Sequence, residues 1–377
     1  MILYYQNREI YRKEGILSPD DFWLETITIA PEAELNHLLL QLNDNKGQKL
    51  VDYTSASQEE KEKPQAREIS PRPKDIESLE ELYLHGIHLL QYKHGTYVAE
   101  DYFAEALKRD STDYRCNLEM GKLLLEKGEF ENSEHFLKNA LARLTIRNAN
   151  PHDTEVLYEL GRLYKYLDLP DQAYRYFKDA AWQYAYTAPA NFECACISMQ
   201  RNDTETAVEE LNKALEANPR HYKALALLSY IKGDSKCLQQ IFAEFPQESY
   251  NRYSLYLLTG EKPQAFLLHH PQDVIDVALL FKQAGLEEEA ARILKTCDKH
   301  SPMLSYHLSV ITGEKINPDV NATYEVDFPN RLEDIPVLVE KDWYANYLLG
   351  CLYYDRENYR KACKAFISSI CVNPGFA

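Results

Sequence analysis

The chain has 377 residues, 45% of them hydrophobic, 27% charged and 12% aromatic, with a formal net charge of −17. That composition carries enough apolar material for a large folded core. The acidic balance excludes a non-specific nucleic-acid binder, which needs a basic excess to neutralise phosphates, and disfavours adhesion to an anionic membrane surface. No apolar run reaches the ~20 residues of a membrane-spanning helix, and Met1-Ile2-Leu3-Tyr4-Tyr5-Gln6-Asn7-Arg8 lacks the basic start and long apolar stretch of a signal peptide. Eight cysteines are scattered with no pair of CxxC knuckles, which predicts free thiols in a reducing compartment and a cytoplasmic location.

Residues 1–55 read as a small β segment. Phe22-Trp23-Leu24-Glu25-Thr26-Ile27-Thr28-Ile29 is rich in β-branched and aromatic residues and predicts a strand. Leu38–Leu42 and Gln48–Tyr53 flank the turn Asn43-Asp44-Asn45-Lys46-Gly47, which predicts a hairpin. Residues 56–77 carry charge and proline with almost no apolar residue and predict a linker. Ser78-Leu79-Glu80-Glu81 then opens a helix with a capping pattern.

From there the signal is a repeat. A two-helix unit of about 34 residues needs a small residue where its helices cross, a small residue early in the second helix, a large apolar residue four further on and a small one three beyond that, often before a proline. Gly161, Ala173, Phe177 and Ala180 fit at offsets 0, 12, 16 and 19. So do Gly121, Ser133, Leu137, Ala140; Ala195, Ala207, Leu211, Ala214; Ala278, Ala290, Leu294, Cys297; and Gly350, Ala362, Phe366, Ser369. Gly86, Ala99, Phe103 and Ala106 form a first unit shifted by one residue. The expected fold is therefore mainly α: a tetratricopeptide-repeat α-solenoid, a right-handed superhelix of helix pairs, with a small N-terminal β segment. The repeats are expected over residues 78–312, degenerate at 233–265. An insertion at 313–341 precedes a last repeat at 342–377, and a loop of that length is expected to be functional or to pack along a groove. No polar capping helix follows the last repeat, as expected of a piece of a longer protein.

Several longer stretches are similar to one bacterial group, tetratricopeptide-repeat proteins with an N-terminal galactose-mutarotase-like β-sandwich domain of unknown function. They are Glu81–Gly86, Arg115-Cys116-Asn117, Arg143–Pro151, Phe328–Glu333 and Tyr347–Asp355. The resemblance covers roughly residues 78–377, and Asp44–Tyr53 resembles the end of the β domain. It implies a carbohydrate-related context for the parent family. The body of the sandwich has no counterpart here, so the resemblance carries no site residue over to this chain.

No GxSxG, Walker-type, GxGxxG or HExxH motif is present, and neither a catalytic residue, a metal site nor a cofactor is expected. His85, His88 and His94 share a segment, but a metal needs further ligands that the sequence does not nominate. Paired acids such as Glu80-Glu81, Glu209-Glu210 and Glu287-Glu288-Glu289 read as solvated helix faces in a chain with 59 acidic residues. Arg147–Asp153 reads as turn chemistry, with Asn and Asp satisfying backbone groups. The concave face is the better candidate. Residues one beyond and three before each crossing residue point there, which nominates Lys122 and Leu118, Arg162 and Tyr158, Cys196 and Phe192, with Arg115, Lys165 and Tyr166 adjacent. Such a basic, tyrosine-rich strip suits an acidic or C-terminal peptide, or stacks a sugar ring. The competing reading is that Lys122 and Arg162 pair with neighbouring acids. The expected function is a non-catalytic protein-binding scaffold. The alternatives are the repeat part of a carbohydrate-active or glycan-binding protein, and a self-associating module.

Overall fold

The computed structural model describes residues 1–16, 23–31, 33–55, 70–92, 95–246, 248–261, 270–297, 301–315, 327–339 and 341–376. Most of the expected linker (56–69), part of the expected insertion (316–326) and His94 lie outside the described residues. The chain divides into two compact units, Met1–Ser70 and Pro71–Ala377.

The first unit is a four-stranded antiparallel sheet of order β2-β1-β3-β4, with β1 Ile2–Tyr5, β2 Arg8–Arg12, β3 Leu38–Asn43 and β4 Lys49–Thr54. The β3–β4 hairpin forms where the turn chemistry placed it: Asp44 Oδ1 accepts from the amides of Lys46 and Gln48, both at 2.8 Å, and Gly47 takes φ +79°. Hairpin β1–β2 was not anticipated. Its two turn residues, Gln6 and Asn7, sit at φ +47° and +63°, the left-handed pair whose twist matches the strands it joins. The strand expected over 22–29 does not form among the described residues 23–29, which join no ladder. Side chains hold that segment instead. The Lys13 ammonium lies 4.8 Å from the Trp23 ring centroid, and Glu25 accepts from Tyr11 and Lys13.

The second unit is a succession of helix pairs: α1 (Leu79–Tyr92) with α2 (Ala99–Arg109), α3 (Tyr114–Glu126) with α4 (Phe130–Thr145), α5 (Glu155–Tyr166) with α6 (Pro170–Ala180), and α7 (Tyr184–Gln200) with α8 (Thr204–Ala217). Shorter helices follow: α9 (Tyr222–Lys232), α10 (Ser235–Glu244) and α11 (Ser249–Thr259). Then come α12 (Pro271–Gln283) with α13 (Glu287–Leu294), α14 (Pro302–Thr312), the single turn α15 (Asp334–Leu338), and α16 (Trp343–Asp355) with α17 (Tyr359–Val372).

The spacing that marks the repeat has a steric cause. A Cβ placed on Gly161 would lie 2.6 Å from the Phe177 ring, and one on Gly121 would lie 2.6 Å from Leu137. The crossing residue is small because the large residue sixteen positions on occupies its place. Ser133, at the small position of α4, donates at 2.7 Å to the carbonyl of Gly121 and so ties the two helices at their closest approach. The turn inside each pair is also set by register. Seven residues after the crossing position stand Gly128, Asp168, Asn202, Gly285 and Glu357, all with φ between +55° and +75°. A left-handed residue there stops the first helix and aims the second back along it.

Candidate functional site

The first helices α3, α5 and α7 carry the nominated residues. Leu118 and Phe192 are buried, 4% and 5% exposed, and belong to the core rather than to an open groove. Tyr158 packs between the rings of Phe177 and Tyr186, at 5.5 and 5.1 Å. Cys196 is fully buried. The four nominated cations remain partly open to solvent, and every one is paired. Arg115 reaches Glu80 at 2.6 Å and Asp113 at 3.3 Å, and lies over the Tyr83 ring. Lys122 bridges Glu119 (2.9 Å) and Glu155 (2.8 Å). Arg162 bridges Glu159 (2.8 Å) and Glu126 (2.7 Å). Lys165 meets Glu193 at 3.1 Å.

The expectation of a net-positive strip is thus corrected. The four nominated cations, with Arg356 joining them at Glu126, face seven carboxylates, Glu80, Asp113, Glu119, Glu155, Glu126, Glu159 and Glu193, so the strip is interleaved, with acids in excess. Burial works against charge on Lys122, Arg162 and Lys165, yet the carboxylates outweigh it and hold all three above their ordinary values. Burial raises Glu119 and Glu159, more than Lys122 and Arg162 lower them.

These acids have a pattern that composition hides. Glu119, Glu159 and Glu193 each stand two residues before the crossing positions Gly121, Gly161 and Ala195, and Asp276 stands two before Ala278. A residue so placed falls on the inner face, so the solenoid carries a ladder of carboxylates. Three rungs hold cations of the same or the preceding first helix. Asp276 instead holds Arg331, at 2.5 Å, from the inserted stretch after α14.

That stretch lies on the inner face. Arg331 also donates to the side chain (2.7 Å) and backbone carbonyl (2.9 Å) of Gln272. Asp327 accepts from Gln272, Ser301 and the Met303 amide at 2.9–3.2 Å. Asp334, fully buried, pairs with buried His307 at 2.8 Å. Tyr166 donates to Glu333 at 3.3 Å, and burial together with that carboxylate pushes its hydroxyl up to about 12. Beyond it the last repeat returns to the second. Arg356 meets Glu126 at 3.0 Å, Asn358 and Lys361 donate to the carbonyls of Lys127 and Gly128 at 3.2 and 2.8 Å, and Glu357 pairs with Lys127 at 3.0 Å. The tail therefore covers the inner face beside Lys165 and Tyr166, while the stretch from Tyr83 to Tyr186 remains lined by partly exposed charge.

His85 stacks on Tyr102, and the His88 ring lies tilted against Tyr92, 4.5 Å between centroids. Among the described residues no cluster of three His, Cys, Asp or Glu side chains is placed to hold a metal, and no helix is long and apolar enough to cross a membrane.

A tetratricopeptide-repeat model matches residues 188–221, from within α7 to the residue before α9. The fold is a tetratricopeptide-repeat solenoid. Among solved structures, the array is similar to a tetratricopeptide repeat protein from Parabacteroides merdae, at 15% identity over 62% of this chain and 98% of that one, with a TM-score of 0.44. It is similar to Pseudomonas aeruginosa pilF at 18% identity over 63% and 97%, with a TM-score of 0.40. YrrB, described as a tetratricopeptide-repeat protein with an unusual peptide-binding site, matches at 14% identity over 52% and 91%, with a TM-score of 0.32.

The buried rungs of the tetratricopeptide ladder make a pH prediction. Glu119 and Glu159 have folded values above their unfolded ones, so the folded state binds more protons just above the unfolded value. Their ionisation costs stability as pH rises through that window, and the cost is relieved as pH falls. Glu119→Gln/Glu159→Gln is expected to flatten the segment of the stability curve that lies above the unfolded carboxylate value near ~4. Urea unfolding across that range measures it; an unchanged slope would show that the two acids do not supply it.

Proposed function

We propose that the chain is a non-catalytic protein-binding scaffold, and that the concave face from α1 to α7 takes an extended peptide bearing basic side chains. One observation carries this reading: the carboxylate rung at Asp276 already holds an arginine of the inserted stretch, Arg331, whose guanidinium also reaches Gln272. The N-terminal rungs repeat the acid at the same register, with Glu155 and Glu126 added beside them. Tyr83, Tyr158 and Tyr186 line the same strip as half-buried rings, which supply contact area at little cost in side-chain entropy. The acidic excess replaces the acidic ligand anticipated from sequence with a basic one, because like charges opposed across an interface repel.

Fluorescence anisotropy with labelled arginine-containing peptides and their glutamate-for-arginine counterparts tests the assignment. The basic set is expected to bind, with affinity falling as salt rises. Glu126→Lys/Glu155→Lys is expected to weaken it about tenfold or more, equivalent to ~1.4 kcal/mol. Binding of the acidic set alone, or basic binding untouched by the double substitution, would overturn it.

A further inference from the structure

The second half of the helical unit returns to α7, α5 and α3 along one seam at the C-terminal ends of those helices. At α7 the approach is backbone to backbone. Gln200 donates to the Gln283 carbonyl at 2.8 Å, and a Cβ placed on Gly285 would stand 3.2 Å from the Gln200 Cα. At α5 the seam is carried by Tyr166 and Glu333, at 3.3 Å. At α3 it is made by side chains of the α16–α17 turn on the α3–α4 turn. Arg356 meets Glu126, Glu357 meets Lys127, and Asn358 and Lys361 reach backbone carbonyls, with Ile335 and Tyr353 lying over Gly128.

The Arg356 contact is built to exchange. One terminal nitrogen of its guanidinium meets Glu126 Oε2 at 3.0 Å and the other donates to the Asn330 carbonyl. Its Nε is buried with no hydrogen-bond partner among the described residues, the Asp355 carboxylate standing 4.0 Å away. A buried donor left unpaired offsets much of what the ion pair contributes. The other partner is open to water: the Glu126 side chain is 43% exposed, and exposed pairs are weak. Arg162 already holds Glu126 Oε1 at 2.7 Å, so Oε2 is the oxygen that Arg356 occupies. Glu126 is also one of the two acids that the concave-face reading assigns to a basic peptide. Arg356 thus stands where an arginine of that peptide would stand.

We infer that the α16–α17 turn is an autoinhibitory clasp on the concave face, with Arg356 as the internal competitor for Glu126; the inference rests on the basic-peptide reading given above. In the closed chain Arg356 takes the free oxygen of Glu126, and Glu333 of the same returning half covers Tyr166. An arginine of the incoming peptide displaces Arg356. The α16–α17 turn then lifts from the α3–α4 turn, and Glu333 withdraws from Tyr166. Binding and opening are coupled because one carboxylate oxygen does not serve both arginines, so the peptide favours the open chain over the closed one. Apparent affinity then scales with the fraction of chain that is open before the peptide arrives.

The test uses the full chain and the labelled arginine-containing peptides named above. Arg356→Gln removes the ion pair. Asn358→Ser removes the bond to the Lys127 carbonyl, keeps an oxygen to cap α17 and changes no charge. Arg356→Gln is expected to raise peptide affinity about fivefold or more, and Asn358→Ser about twofold. The uncharged substitution separates opening from a mere gain in negative potential at Glu126. Without peptide, small-angle scattering is expected to give a larger radius of gyration for Arg356→Gln/Lys361→Met than for wild type. Peptide affinity unmoved by both Arg356→Gln and Asn358→Ser overturns the clasp, and so does a double variant as compact as wild type. If neither wild type nor Arg356→Gln binds the peptides, the concave-face reading fails, and the scattering result decides the clasp by itself.

Discussion

Asp334→Ala is expected to destabilise the helical unit by about 3–5 kcal/mol, the loss typical when one member of a buried charged pair is removed. Asp334 is fully buried and accepts four contacts: His307 Nε2 at 2.8 Å, the amides of Asn330 and Arg331 at 3.0 and 3.1 Å, and the Arg331 guanidinium at 3.7 Å. Alanine would leave buried His307 and two amides without their acceptor. Asp334→Asn keeps an oxygen for them and is expected to lose less, about 1–2 kcal/mol. The pH dependence runs opposite to that of the groove glutamates. Burial disfavours the Asp334 charge, but His307 and Arg331 outweigh burial and hold it below the usual carboxylate range. Its contribution is therefore complete above the unfolded value near ~4 and is lost as pH falls through the lower folded value. Because Asp334 orders the stretch that presents Arg331 and Glu333, its loss is also expected to uncover Tyr166. Urea unfolding measures the stability, and tyrosine fluorescence quenching by acrylamide reads the uncovering. A loss below about 1 kcal/mol, with Tyr166 still shielded, would show that other contacts hold the insertion.

Phe177→Ala is expected to cost about 3–5 kcal/mol, as for other buried phenylalanines. Phe177 is fully buried, fills the space left by Gly161 and packs on the Tyr158 ring at 5.5 Å. Gly161→Ala alone is expected to cost about 1–3 kcal/mol, since its new methyl would meet the ring. The two changes are expected to couple. Once Phe177 is removed, the alanine at 161 occupies vacated space and its cost should fall by at least ~1 kcal/mol in a double-mutant cycle. Additive losses would show that the repeat's spacing is not set by this contact.

Much of the fold was legible because each repeat is a local problem. Crossing residue and filler lie sixteen positions apart, seventeen in the first pair, and a small residue faces a large one in every complete repeat. The β3–β4 turn was equally local, since Asp44 and Gly47 satisfy their own loop. Trp23–Ile29 failed as a strand because β propensity describes a fit to a neighbour, and the neighbours there are side chains of Tyr11 and Lys13. The concave site was only half legible. Its tyrosines and cations stood at readable offsets, but their partners did not stand out. Glu119, Glu159, Glu193 and Asp276 are four among 59 acidic residues until they are aligned on the crossing position.

The sequence by itself determined the helix pairs, their register, the glycine turns at Gly128 and Gly285, and the net acidity. The acidity is composition, and sterics between residues close in the chain decide the rest. Tertiary structure decided the inner-face matches beyond the local pairs Glu119–Lys122 and Glu159–Arg162, and which part of that face stays open. The contacts responsible join residues far apart in sequence, such as Tyr166 with Glu333 and Glu126 with Arg356. No periodicity encodes such pairs, because they depend on the accumulated rotation of every repeat between them.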